Sequence, residues 1–287
     1  MDNPDNIIHQ ARFFMRTNWL QAVKVLEEGL KTFPDAKELY LELAEIYTQR
    51  KSYNKALQYY QKVVNIDPFH TLSRFKIANI YLDLDEPKLA LYHYNKIDNA
   101  FPEAKYNKAV TFYRLQMYQE AIDLLKEVVT CKDPVHNAHF LLIELLLLVG
   151  KVKEAYHYID KAVEVYGNTA HIHYLKGTAH AYQKNWLAAY NDLLQALPSY
   201  LDNPRIHQKL GIAAENIGRV DKAIAHLKDA ISLRNDDKLS VVELIKILVK
   251  YRIVTDKDEL QTLMKDHDKE TVKMALRFYE NYVLGEE

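Results

Sequence analysis

Glycine, proline and cysteine are scarce in this chain of 287 residues, which holds 7 Gly, 8 Pro and 1 Cys. A sandwich of many short strands needs turn residues at frequent intervals, so this shortage favours long helices. The single cysteine, Cys131, excludes an intramolecular disulfide and a multi-cysteine zinc site. Hydrophobic residues make up 48% of the chain and charged residues 27%, which is enough apolar material for a sizeable core. We therefore expect an ordered, all-α protein.

Neither sign of charge dominates, because 38 Lys and Arg face 39 Asp and Glu. This balance gives no global signal for nucleic acid or for an acidic membrane surface. The longest apolar run, residues 140–149, contains Glu144 and is about half as long as a membrane span. The first residues lack the basic start and apolar run of a signal peptide. We expect a cytoplasmic protein with no membrane span, no nucleic-acid partner and no cofactor.

Alanine recurs at a fixed period along the chain. The column consists of Ala22, Ala56, Ala90, Ala121, Ala155, Ala189 and Ala223. Successive members keep one constant spacing, except for a single shorter step between Ala90 and Ala121. Apolar side chains follow each alanine, large at four residues and mostly smaller at seven, which places them on one helical face. A period of about 34 residues predicts a repeat architecture.

A second amphipathic segment precedes each alanine, so each repeat is predicted to be a pair of helices. Its columns lie twelve and nine residues before the alanine, and they are mostly small and mostly bulky respectively. They hold Ala44 and Tyr47 in the second repeat and, by the same count, Gln10 and Phe13 in the first. The few glycines and prolines punctuate this pattern: Gly177 and Gly211 where helices should touch, Gly150 and Gly218 at turns, and Pro34, Pro68 and Pro102 between repeats.

Residues 38–68 carry the pattern most completely, with Tyr40, Leu43, Ala44, Tyr47, Tyr53, Ala56, Tyr60 and Pro68 in phase. This unit resembles the tetratricopeptide repeat. Seven such repeats would occupy residues 3–36, 37–70, 71–101, 102–135, 136–169, 170–203 and 204–236. The resemblance implies a right-handed α-solenoid in which the first helix of each repeat lines a concave groove and the second helix lies on the convex side.

Two regions depart from the regular period. The three residues missing from the shorter step fall near Pro102, so a first helix should start almost directly there. Residues 237–287 lack the alanine column but retain helical apolar stripes, with candidate N-caps at Thr255 and Asp256 and a final stripe ending at Tyr279 and Val283. We expect these residues to form capping helices. Autoinhibition or partner binding by this tail is the alternative.

The resemblance also indicates which side chains of the first helices face the groove. Many of them are aromatic or aliphatic, and contiguous exposed apolar surface is typical of interaction sites. The nearly all-apolar helix at residues 140–149 must be buried, either by the protein itself or by a partner. Glu144 is predicted to be the one charged residue in this apolar lane, the strip of apolar side chains that faces the groove. The predicted partner-binding residues are Phe75, Asn79, Leu82, Tyr106, Asn107, Val110, Tyr113, Arg114, Phe140, Glu144, Leu147 and Tyr174.

These residues favour a non-enzymatic scaffold or adaptor that binds a protein or peptide segment in the groove. One alternative is a regulatory sensor that closes around a peptide through Asn79, Asn107 and Arg114. Another is docking of chaperone C-terminal tails, which the family performs with a clamp of lysines, asparagines and an arginine. Phe75, Asn137 and Leu141 occupy the positions of the clamp cations, so this alternative is disfavoured.

Catalytic and metal-binding motifs are not found in the sequence. It contains no Gly-rich phosphate loop, no H-E-x-x-H and no G-x-S-x-G, so no catalytic residue is predicted. His139, His173 and His207 recur at the repeat period and could in principle meet a metal. The same column holds Tyr40 and Arg74 in earlier repeats, which favours a packing role and no metal.

Overall fold

All regular structure in the described part of the chain is helical. The computed structural model describes residues 3–97, 101–131, 135–234, 237–254, 256–265 and 269–284. The helices are α1 (Pro4–Met15), α2 (Trp19–Thr32), α3 (Lys37–Gln49), α4 (Tyr53–Ile66), α5 (Thr71–Asp83), α6 (Pro87–Tyr94), α7 (Pro102–Arg114), α8 (Tyr118–Val129), α9 (Ala138–Leu148), α10 (Val152–Tyr166), α11 (Ala170–Tyr182), α12 (Trp186–Ala196), α13 (Pro204–Asn216), α14 (Val220–Leu233), α15 (Lys238–Lys250), α16 (Lys257–Leu263) and α17 (Lys269–Leu284), with a 3₁₀ turn at Leu197–Ser199. Across these ranges no helix is both long enough and apolar enough to cross a bilayer.

The chain divides into two compact units, an N-terminal unit of residues 1–138 and a C-terminal unit of residues 139–287. Within each unit, helices that follow one another pack together, as α3 does with α4 and α11 does with α12. Helices α1 to α14 make seven pairs, which matches the seven repeats predicted. The all-α helical repeat fold is confirmed.

Small residues bring the helices of each pair into close contact. All seven alanines of the repeating column are 0% exposed. A Cβ atom added to Gly177 would lie 2.7 Å from Leu193 Cγ, and one added to Gly211 would lie 2.6 Å from Leu227 Cγ. Non-bonded carbon atoms do not approach this closely. The two glycines therefore permit the close helix–helix contact that the column of small residues predicted.

The turn inside each repeat after the first uses one residue in the left-handed backbone region. These residues, together with one in the tail, have φ between 54° and 78° and are Lys51, Asp85, Gln116, Gly150, Lys184, Gly218 and Arg252. They follow the same period as the alanines, including the one shorter step. Arg252 lies one repeat period beyond Gly218, and α15 begins one period after α13. The helix and turn that open a repeat therefore recur once more in the tail.

The first repeat does not follow the register of the others. Its buried residues are Ile7, Ile8 and Ala11, whereas Phe13 is 73% exposed. The turn before α2 has no residue with positive φ, and the Asn18 side chain caps α2 by accepting from the Gln21 N–H at 3.2 Å. The placement of Gln10 and Phe13 in the core columns is therefore wrong, because α1 is rotated relative to the later first helices.

The shorter step between Ala90 and Ala121 removes residues just before α7. Helix α6 has 8 residues where α4 has 14. Helix α7 then begins at Pro102, as predicted, and proline fits there because the first turn of a helix has no partner for its N–H.

The tail packs on the last repeat. Helix α15 contacts α13, α14 and α17, and Val241, Leu244 and Leu248 join the apolar core of these helices. The Asp256 carboxylate caps α16, accepting from the Glu259 N–H at 2.7 Å as the sequence indicated. Tyr279 is buried. Thr255 and the Val283 side chain lie outside the described residues.

The left-handed turn position should respond to glycine with opposite signs in two repeats. We expect Lys184→Gly to raise the free energy of unfolding by about 1 kcal/mol and Gly218→Ala to lower it by about 1–2 kcal/mol, because only glycine adopts this φ without strain. Nothing lies within 4 Å of a Cβ added at Gly218, so the expected cost comes from the backbone alone. Urea denaturation followed by circular dichroism measures both.

The matched control is Lys228→Gly, on the exposed side of α14. A glycine inside a helix should lower stability by about 1 kcal/mol. Equal losses for Lys184→Gly and Lys228→Gly would contradict backbone strain at Lys184.

Candidate functional site

Four rings from α9, α11 and the loop after α12 form an aromatic cluster in the C-terminal unit: Phe140, His171, Tyr174 and Tyr200. The rings of Phe140 and His171 stack with centroids 4.4 Å apart. Tyr174 stacks on Tyr200 at 5.6 Å. His171 meets both tyrosines edge-on. Stacked rings of this kind form a rigid apolar surface with polar edges.

Charged side chains surround this aromatic cluster. The Lys209 ammonium of α13 lies 5.8 Å from the centre of the Tyr174 ring. Burial lowers the pKa of Lys209 and nearby Arg205 lowers it further, while the Glu144 carboxylate raises it. Burial raises the pKa of Tyr174, so its hydroxyl stays protonated at neutral pH. The lowered pKa of Lys209 indicates an ammonium that lacks sufficient compensation from anions and water.

Glu144 is not the one charge in an apolar lane. Its Oε1 lies 3.7 Å from His171 Nε2, and its carboxylate also raises the pKa of Lys209. The expectation failed because α9, the helix of Glu144, contains no other charge, whereas these partners come from α11 and α13.

Burial separates the predicted groove residues of α9. Phe140 is 7% exposed and Leu147 is 2% exposed, together with the fully buried Leu142, Ile143 and Leu146. The apolar composition of this helix is therefore explained by burial inside the protein. Leu147 is therefore too deeply buried to contact a partner directly. Phe140 packs beneath the His171 ring and supports it from inside the protein. Glu144 remains exposed at the surface.

In the N-terminal unit, the predicted residues of α5 and α7 bond to one another. Asn79 Oδ1 accepts hydrogen bonds from the Tyr94 hydroxyl and, at 3.0 Å, from Asn107 Nδ2. Phe75 packs edge-on against Phe101 at 4.9 Å and also contacts Tyr94. These contacts connect α5, α6 and α7, so the two asparagines use part of their bonding capacity to hold neighbouring repeats together.

The remaining predicted residues of this unit vary in exposure. Arg114 Nη1 donates to the Leu82 carbonyl oxygen at 2.7 Å, and it lies 3.5 Å from an Asp85 carboxylate oxygen. The Leu82 side chain is buried, so it is withdrawn from the surface. Tyr113 is 43% exposed, and Tyr106 and Val110 are half-buried. The three groups proposed for a peptide sensor thus bond within the protein.

Two histidines of the repeating column face protein groups. His139 Nδ1 lies 3.3 Å from the Tyr166 hydroxyl, and His173 Nδ1 lies 3.0 Å from Asp192 Oδ1. Each contact joins the two helices of one repeat, α9 to α10 for His139 and α11 to α12 for His173. These geometries agree with the packing role expected for the column.

His171, Tyr200 and Lys209 were not predicted from the sequence to belong to the site. Tyr200 follows the 3₁₀ turn, where no helical column predicts its direction. Lys209 belongs to a column that holds Leu141 and Leu175 in the preceding repeats. That change from leucine to lysine was the available signal, but a weak one, because the same column holds Glu42, Lys76 and Asn107 in earlier repeats.

Two family models, both described as tetratricopeptide repeat, match the chain. One covers residues 15–71 and 174–238, and the other covers residues 103–130. Together they span just over half of the chain. This chain belongs to the tetratricopeptide repeat family. Members of the family are generally non-enzymatic and bind proteins or peptides.

Two curated proteins align with most of the chain. A DnaJ homolog subfamily C member 3 homolog of Dictyostelium discoideum is 22% identical over 87% of this tetratricopeptide repeat chain and 54% of its own length. A TPR repeat-containing protein of Methanocaldococcus jannaschii is 23% identical over 82% of this chain and 43% of its own length. The chain thus spans about half the length of the curated relatives it matches.

The fold is also seen in solved structures. The Cut9–Hcn1 hetero-tetramer of the APC/C contains a chain that superimposes on 94% of this tetratricopeptide repeat protein with a TM-score of 0.61. That alignment covers 55% of the matched chain at 16% sequence identity. At this identity the likeness shows the fold alone.

A buried histidine in the N-terminal unit should make stability depend on pH. His93 lies against the Tyr81 ring, and its buried Nδ1 makes no hydrogen bond. Burial lowers the pKa of His93 from 6.5 to about 4, and Arg74 contributes to the shift. Between these values the unfolded chain binds a proton that the folded chain does not. The contribution of neutral His93 to the free energy of unfolding is therefore fully present above pH 6.5 and is lost as the pH falls towards 4.

We expect His93→Phe to remove up to about 3 kcal/mol of this pH dependence. The measurement is the free energy of unfolding of both proteins between pH 4 and 7, compared as a difference at each pH. His157→Phe changes an exposed imidazole and is the control. A difference between wild type and His93→Phe that is constant with pH would argue against the buried neutral imidazole.

Proposed function

We propose that this protein is a non-enzymatic adaptor whose C-terminal unit binds an acidic, apolar segment of a partner protein. The observation that carries the proposal is Lys209, held over the Tyr174 ring with a lowered pKa. A carboxylate from a partner would supply the missing counter-charge.

The cytoplasmic location of the protein remains a prediction.

Tyr174 and Tyr200 would provide the apolar part of the binding surface. Both are half-buried, so their rings are fixed by packing yet still reach solvent. Rigid aromatic side chains lose little conformational entropy on binding and are enriched among residues that dominate interface energies. We infer that a leucine, phenylalanine or similar side chain packs against this pair.

Lys209 and Arg205 would provide the charged part. Arg205 lowers the pKa of Lys209 and of Tyr174, whereas Glu144 raises the pKa of both. Two cations therefore face one carboxylate, and that carboxylate lies beside His171. The charge imbalance favours an acidic group on the partner over the basic group that Glu144 alone would suggest.

The comparisons support a binding role and leave its partner to experiment. The matched chain of the Cut9–Hcn1 structure is part of a hetero-tetramer. Because this chain spans only part of its curated relatives, an adaptor role is proposed for these residues and not for a longer protein.

The test is selection of short random peptides displayed on phage against the full chain. Selected peptides should contain an Asp or Glu, or a free C-terminal carboxylate, close to a large apolar residue. We expect Tyr174→Ala to weaken their binding by about 30-fold and Lys209→Gln by about tenfold, measured by isothermal titration calorimetry.

Tyr182→Ala is the matched control, since Tyr182 lies on the same helix, α11, and is 51% exposed. It should bind the peptides with unchanged affinity. If the selected peptides bind Tyr174→Ala and Lys209→Gln as tightly as they bind wild type, this site is not the binding site.

A further inference from the structure

A second cluster in the C-terminal unit joins the two helices of the last repeat. His207 lies on α13, and His226 and Asp229 lie on α14. One candidate ligand atom from each of the three residues lies within 4.8 Å of those of the other two. The imidazole centroids of His207 and His226 are 5.7 Å apart. This cluster is separate from the residues proposed above to bind a partner.

The hydrogen bonds of His207 determine which of its nitrogens is free. Its Nε2 lies 2.9 Å from the Leu201 carbonyl oxygen, which can only accept. Nε2 therefore carries the hydrogen, and in the neutral ring Nδ1 keeps its lone pair. That Nδ1 is buried and makes no hydrogen bond, although Asp229 Oδ2 lies 3.5 Å away. Fixing one nitrogen by a backbone carbonyl is the usual way to orient a metal-binding histidine.

His226 presents a second buried nitrogen without a hydrogen bond, its Nδ1. Burial lowers the pKa of His226, and the neighbouring His207 and Lys222 lower it further while Asp229 raises it. Two buried imidazole nitrogens without hydrogen bonds are costly unless a ligand satisfies them.

The preceding repeat offers an internal comparison at the equivalent positions. His173 and Asp192 lie one repeat period before His207 and His226. There the histidine pairs with a carboxylate at 3.0 Å and its Nδ1 is satisfied. In the last repeat the carboxylate is replaced by the imidazole of His226. The exchange puts a nitrogen ligand where the carboxylate stood, while Asp229 brings a different carboxylate to 3.5 Å from His207 Nδ1.

We propose that His207 Nδ1, His226 Nδ1 and the Asp229 carboxylate bind a zinc ion. Three protein ligands of nitrogen and oxygen type, with water in the fourth position, are an established zinc arrangement. Ligand atoms around tetrahedral zinc lie about 3.3 Å apart, given bond lengths of about 2.0 Å. The Asp229 side chain is 57% exposed, so it can rotate towards the two imidazoles and also leaves a path for the ion.

Zinc bound here would connect α13 to α14 next to the helices that pack on the last repeat. Helix α15 contacts both α13 and α14. An ion that binds the folded state alone raises stability in proportion to the logarithm of its concentration above the dissociation constant. The site would therefore hold together the end of the repeat array in a zinc-dependent way.

The experiment uses the full chain without a histidine tag, freed of metal by a chelator and then titrated with Zn²⁺ in competition with a fluorescent zinc indicator. We expect one tight site per chain and a rise in melting temperature of a few °C when Zn²⁺ is added. His226→Gln and Asp229→Asn should each weaken Zn²⁺ binding at least about tenfold and reduce the rise in melting temperature, since even indirect changes around zinc cost this much. Asp229 is exposed, so Asp229→Asn tests the site even if His226→Gln fails to fold.

His173→Gln is the matched control, because it removes the imidazole at the equivalent position of the preceding repeat. It should keep the affinity of wild type for Zn²⁺, as should Cys131→Ser. The proposal is overturned if His226→Gln and Asp229→Asn bind Zn²⁺ as tightly as wild type does. It is also overturned if the tight site disappears in Cys131→Ser, or if the wild-type chain binds Zn²⁺ no better than Mg²⁺.

Discussion

The close approach of paired helices at small residues is the contact on which the rest of this structure depends. The seven repeating alanines are fully buried, and Gly177 and Gly211 leave no room for a Cβ atom. Such contacts fix both the spacing of a pair and its rotation about the helix axes. Rotation decides which side chains of α9, α11 and α13 come together. The aromatic cluster and the charges around it are thus a consequence of where the small residues stand.

The sequence predicted the helix pairs well wherever both helices have neighbours on each side. Column membership and burial agree at Ala44, Tyr47 and Gly211. The prediction failed in α1, where Phe13 is exposed and Ile7 and Ile8 are buried. The period determines the spacing of helices along the chain but not the rotation of α1, which packs on α2 and α3.

The candidate site was predicted in part, because a column indicates the direction of a side chain but not its depth. Tyr174 is half-buried and reaches the surface as expected, whereas Phe140 from the same column is buried. Side-chain length matters as well, since Lys209 replaces Leu175 of the preceding repeat and its ammonium extends over the Tyr174 ring. Tyr200 lies in a loop, where periodicity carries no information. Such residues are found only when the helices are placed in three dimensions.

A repeat framework allows chemistry to change at one position while packing is conserved elsewhere. The column of Leu141 and Leu175 becomes Lys209 in the last repeat, and the position of Asp192 becomes His226. Both exchanges lie on the pair α13 and α14, whose alanine and glycine contacts are unchanged. Their effects are nevertheless different in kind, because Lys209 adds a poorly compensated charge while His226 leaves two imidazole nitrogens without hydrogen bonds. Comparing equivalent positions between repeats therefore distinguishes residues that build the fold from residues whose cost must be offset by a ligand.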